Sequence, residues 1–290
     1  MFTTRQFISC VFLSLAFSDT ARAGKDEVHL PTTIESRVIF VQIQVNGKGP
    51  FTFILDTGAT ETIMTPPTAE RLGLHPLGGS RAKKTMVTSI GLGNATVRNL
   101  TAFIFDPPQA LPLRLDKGIN YHGILGYTFL HRFVTTIDYR HERVTLIRTL
   151  KYRRPSSKNK QEADVYHLPF RLLRNLIHAR GRINGEKRSV TFLVDTGSAE
   201  TLLLPRTASL FDIPTSPLPN YEHVGFARLK KLDMAGAVVS SVPTIIHALP
   251  HEQSPKTSYD GILGYPFLSN FVVTINYRDK QLTLQPYPNP

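Results

Sequence analysis

Apolar and polar positions alternate with a period of two along much of this chain, the signature of half-buried strands. Val41, Ile43 and Val45 alternate with Gln42 and Gln44. Asn46-Gly47 supplies a tight turn, and Phe51 to Leu55 reads as a second strand running into Asp56. Asn184-Gly185 and the strand from Val190 to Val194 repeat the arrangement ahead of Asp195. A short helix is predicted after the first aspartate, with Thr65 as cap, Pro66 at its start and Gly73 near its end. A second is predicted over Tyr127 to Phe133. Val134 to Tyr139 and Arg143 to Ile147 then read as a hairpin turning at Arg140-His141, reproduced later by Val272 to Tyr277 and Gln281 to Leu284. The pattern predicts an all-β protein with a few short helices.

The chain also repeats itself. Thr52 to Pro66 (TFILDTGATETIMTP) aligns without gaps to Thr191 to Pro205 (TFLVDTGSAETLLLP), with 8 of 15 positions identical. Gly123 to Leu146 aligns to Gly261 to Leu284 with 15 of 24 identical. The spacing is preserved, since Asp56 to Gly123 is 67 residues and Asp195 to Gly261 is 66. Two colinear matches at matched spacing imply a tandem duplication.

Ahead of the first repeat, Arg5, the apolar run from Phe7 to Phe17 and Ala21-Arg22-Ala23 read as a secretory signal over residues 1–23, so export to a periplasmic or extracellular location is expected. The run is too short for a membrane span, and no stable membrane insertion is expected. Residues 24–150 and 165–290 form the two expected domains. The polar, charged stretch 151–164 serves as a linker.

Cleavage would remove the single cysteine, Cys10, leaving no disulfide and no thiol chemistry. It would also lower the formal charge from +12 to +11, still basic. The cations are scattered without interleaved aromatics, so nucleic acid is not an expected partner. The ten histidines fall into no metal-ligating spacing, and neither a metal nor a cofactor is expected.

The candidate chemistry sits in the repeated Asp-Thr-Gly. Each copy ends an apolar strand that delivers a carboxylate to a loop. Gly58 and Gly197 permit close backbone approach, while Thr57 and Thr196 offer short hydroxyls for a confined turn. A second repeated element, Ile124-Leu125-Gly126 and Ile262-Leu263-Gly264, suits a strand passing tightly beneath each loop.

Together, in one order and twice, these motifs resemble the retropepsin-like aspartic proteases. The resemblance implies two tandem closed β-barrels packed as a pseudo-twofold dimer. It makes Asp56 and Asp195 the catalytic pair, has Thr57 and Thr196 brace the loops, brings Gly58 and Gly197 near the substrate backbone, and places Gly126 and Gly264 in the loop support. It further implies an aspartic endopeptidase acting on peptides or proteins, with the halves pairing within one monomer rather than between chains. Mobile flaps are expected near Gly79 to Ser89 and Asn220 to Leu229. The alternative is a non-catalytic envelope module that binds peptides or partners and keeps the fold, since a fold does not fix a function.

Overall fold

The computed structural model describes residues 27–77, 83–105, 121–153, 165–219, 221, 223–249 and 258–288. The expected signal segment and nearly all of the expected linker lie outside these residues.

The first half runs β1 (Glu27–Pro31), β2 (Thr33–Glu35), β3 (Val38–Val45), β4 (Lys48–Leu55), β5 (Thr62–Met64), α1 (Pro66–Leu72), β6 (Lys84–Leu92), β7 (Ala95–Ile104), β8 (Gly123–Leu125), α2 (Tyr127–Leu130), β9 (Phe133–Asp138) and β10 (Arg143–Arg148). The second half follows a similar course, with β11 in place of β1 and β2 and an added β15, as β11 (Tyr166–Leu173), β12 (Leu176–Ile183), β13 (Val190–Val194), β14 (Thr201–Leu203), α3 (Pro205–Leu210), β15 (Ser216–Pro217), β16 (Gly225–Met234), β17 (Ala237–Ile246), β18 (Gly261–Leu263), α4 (Tyr265–Leu268), β19 (Phe271–Asn276) and β20 (Gln281–Pro286).

Each half closes a six-stranded barrel. In the first the order is β3-β4-β8-β5-β7-β6, and β3 pairs back to β6. In the second, β12-β13-β18-β14-β17-β16 closes through β12 and β16. Closure removes free strand edges within each barrel. The alternation in β3 sets the inside of the wall, with Val41, Ile43 and Val45 buried and Gln42 and Gln44 exposed. Phe53 and Phe129 fill one barrel and their repeats Phe192 and Phe267 the other, all fully buried. Burying each such ring contributes roughly 1.5–3 kcal/mol.

The halves join through strands outside the barrels. β1-β10-β9-β19-β20-β11 form one continuous run of neighbours in which β9 meets β19 antiparallel. Thr136 pairs with its own repeat, Thr274, and their hydroxyls lie 2.9 Å apart on the pseudo-twofold axis. The strands that precede each barrel, β1 and β11, flank this sheet.

Two expectations need correction. The helix predicted over Tyr127 to Phe133 ends at Leu130, because Phe133 is already the first residue of β9. The expected flap ranges run too far along the chain: residues 85–89 and 227–229 are barrel strands, paired in register with β7 and β17, whereas the Leu77 N–H donates to Lys84 O just ahead of the first of them. Their alternating exposure resembles that of a turn-rich hairpin in sequence, but it records the two faces of a barrel wall. In the second half the hairpin that precedes the wall is formed by β15 and the start of β16, with Ser216 opposite Phe226. Residues 79–82 and 220 of the expected flaps lie outside the described residues.

Candidate active site

β4 and β13 carry Asp56 and Asp195 to the junction of the two barrels. Each aspartate is anchored by the adjacent Ile-Leu-Gly strand, because the Asp56 N–H donates to Leu125 O and the Asp195 N–H to Leu263 O, both at 3.1 Å. β8 runs parallel to β4 and antiparallel to β5, so it threads between the strands on either side of the loop. Gly126 then passes directly against the loop. A side-chain carbon there would collide with the carbonyl oxygens of Glu61 and Ala59, and Gly264 stands in the same relation to Glu200 and Ser198. Just beyond, Tyr127 N–H donates to Ala59 O at 2.9 Å and Tyr265 N–H to Ser198 O at 3.0 Å.

The threonines do more than close their own turns. Thr57 Oγ1 donates to Val194 O at 2.8 Å and accepts from the Thr196 N–H at 3.1 Å. Thr196 Oγ1 donates to Leu55 O at 2.8 Å and accepts from the Thr57 N–H at 3.1 Å. All four bonds are buried and cross from one half to the other, so neither loop is complete alone. This brace sets Gly58 against Asp195 and Gly197 against Asp56, and in each case an added Cβ would lie 2.5 Å from the opposing carboxyl carbon.

The two carboxyls consequently share a site. Gly58 N–H donates to Asp56 Oδ1 at 2.7 Å and Gly197 N–H to Asp195 Oδ1 at 2.8 Å. Asp56 is pushed well above the usual carboxylate range, first by desolvation, then by the Asp195 charge and by a hydrogen bond between the two carboxyls. Asp195 is raised by desolvation too, but the bond from Asp56 and the N–H groups of Gly197, Ser198 and Gly58 oppose the rise. Two like charges cannot both be held here without cost, so the pair as a whole retains one proton, shared between the two carboxyls.

Beside the dyad, small apolar clusters stand on either flank. Ile54, Ile63 and Ile124 form one, with Ala199 of the opposite loop packed against it, and Leu193, Leu202 and Ile262 form the other. Sequence reasoning missed a further pair, Glu61 and Glu200. Arg37, in the β2–β3 turn, reaches across to Glu200 at 2.8 Å, and burial raises the Glu200 carboxyl while Arg37 opposes the rise. The corresponding turn of the second half carries Asn175, so the device is one-sided. The signal was present, because the glutamate occupies the same place in both aligned repeats. Nothing local distinguishes it from a solvated charge.

A family model described as Aspartyl protease matches residues 41–129. A search of curated proteins finds no match. Among solved structures, the aspartic proteinase from Irpex lacteus superposes with a TM-score of 0.56 at 13% identity, covering 90% of this chain and 98% of that one. The first half thus carries the sequence pattern of the retropepsin-like aspartyl proteases, and the whole chain has the two-barrel fold of an aspartic proteinase.

Proposed function

We propose that this chain is an aspartic endopeptidase, exported by its N-terminal segment, in which Asp56 and Asp195 form one dyad shared by the two halves. The observation that carries the reading is the reciprocal Thr57–Thr196 brace between the two Asp loops, which supports a pair of facing carboxyls. A binder would have no use for so costly an arrangement.

In the reaction, a water between the carboxyls gives a proton to the ionised member of the pair as its oxygen attacks the scissile carbonyl carbon. The protonated member donates its own proton to the carbonyl oxygen, giving a neutral tetrahedral diol. Collapse breaks the carbon–nitrogen bond. The leaving nitrogen takes the proton gained by the carboxyl that accepted it from water, and the other carboxyl recovers one from the diol hydroxyl, which restores the starting state. The glycine N–H groups on the Oδ1 atoms fix the carboxyl planes throughout. The apolar clusters beside the dyad suit bulky side chains of an extended peptide.

The test is cleavage of a peptide library between about pH 3 and 8, where a shared-proton dyad can operate. Asp56→Asn and Asp195→Asn should each abolish cleavage, and a statine-type inhibitor should block it. Full activity in either single variant would refute the shared dyad, and a folded chain that cleaves nothing would favour a non-catalytic module.

A further inference from the structure

A groove of about 700 Å³ lies on the outer face of the second barrel, and none of the residues lining it belongs to the Asp loops. It opens where β11 changes partners. Residues 170–173 pair with β12, residues 166–169 pair with β20, and β16 joins β12 only from Arg182 onward. The alternation of β12 turns Ile177, Ala179 and Ile183 into the core and leaves Arg180 and Arg182 exposed. Arg171 lies beside this row, directly across from His178.

Three guanidiniums therefore border one groove. Arg180 donates to Ser189 Oγ at 2.5 Å. Among the described residues no carboxylate lies within ion-pair distance of any of the three. Asp233 is the acidic residue in the lining and faces Arg182 in register, but its Oδ1 accepts the Gly236 N–H at 2.8 Å. His178 adds no charge: it is buried, its Nδ1 bonds Leu176 O, its Nε2 accepts from Ser258 Oγ, and burial lowers its pKa.

The duplication supplies an internal control. The positions matching Arg171, Arg180 and Arg182 in the first barrel are Thr33, Gln42 and Gln44, by the same strand registers. The barrel does not need the arginines, since its twin folds without them. The groove also has apolar lining, in which Leu173 is exposed and Leu168 and Phe170 are buried. Cations over apolar surface fit a chain that carries both carboxylates and apolar side chains better than they fit a phosphate polymer.

We infer that this groove is a docking site for an acidic, extended polypeptide segment, separate from the dyad. It would hold a protein partner or substrate by a segment other than the one in the cleft, and it would bind whether or not the dyad is active.

The test uses the Asp56→Asn chain, so binding is read without cleavage. A fluorescein-labelled peptide of alternating Glu and Val is titrated by anisotropy, with its Gln-for-Glu counterpart and a single-stranded DNA oligonucleotide as competitors. The acidic peptide should bind and weaken with added salt. Arg180→Gln with Arg182→Gln should weaken it by at least about tenfold, given the usual strength of charge-assisted hydrogen bonds. Arg98→Gln, at an exposed site on β7 of the other barrel, should leave binding unchanged, and both variants should melt with the parent. No binding, binding indifferent to the groove arginines, or equal displacement by the neutral peptide would overturn the proposal. So would DNA binding the groove more tightly than the peptide.

Discussion

Replacing Gly58 by Ala tests the geometry of the dyad most directly. Gly58 does not have a positive φ, so alanine meets no backbone strain there. Its only difficulty is space: the new methyl would lie 2.5 Å from both Cγ and Oδ2 of Asp195. Ordinary van der Waals contact begins near 3.4 Å, so something must yield by about 0.9 Å. The obstacle is a carboxyl already fixed by the Gly197 N–H, in a loop braced from the other half. Overpacking of this kind costs about 1–3 kcal/mol of stability. A displacement near 1 Å at a reacting group costs on the order of 100-fold in rate. The expectation is a folded Gly58→Ala protein with kcat on a fluorogenic peptide reduced about 100-fold and KM little changed. Thermal unfolding run in parallel separates loss of fold from loss of geometry. Undiminished kcat in folded Gly58→Ala would refute the proposed contact between each glycine and the opposing carboxyl.

Other outcomes follow from the same geometry. Thr57→Val removes a hydroxyl and leaves Val194 O and the Thr196 N–H buried without partners, so urea unfolding should show a loss of about 2–4 kcal/mol. A change below measurement error would mean the brace does not hold the halves. Asp56 holds its proton to higher pH folded than unfolded, so the stability tied to that proton is complete below about pH 4 and is lost as pH rises through the raised value. Asp56→Asn should therefore raise stability at pH 7 and change it little near pH 3.5, where Asp56 is protonated in both states. Equal effects at both pH values would contradict the shared proton. Arg37→Gln should cost no more than about 1 kcal/mol, because the pair is partly exposed, and the loss should shrink in high salt. A loss that ignores salt would point to packing instead.

Much of this architecture was legible in the chain. The alternation in β3 and β4, the Asn-Gly turns and the doubled motifs depend on neighbours within a few residues, where side-chain period and turn chemistry act directly. The expected flap ranges ran on into the barrel walls because a barrel strand with one solvated face has the small and polar residues of a loop. Glu61 and Glu200 were passed over because a glutamate's partner is chosen across space, and Arg37 lies 163 residues from Glu200 in the chain.

By itself, then, the sequence determined the doubled motifs, the strands, the pair of Asp-Thr-Gly loops and the glycine beneath each. Tertiary structure decided what those loops meet. Thr57 hydroxyl chemistry is local in kind, yet its acceptor is Val194 O, 137 residues away. The pairing of β9 with β19 and the row of arginines over an open groove likewise arise from packing one half on the other and from where β11 leaves its barrel. Periodicity specifies which face of a strand is buried. Only the folded chain specifies which distant group that face, or its opposite, is brought against.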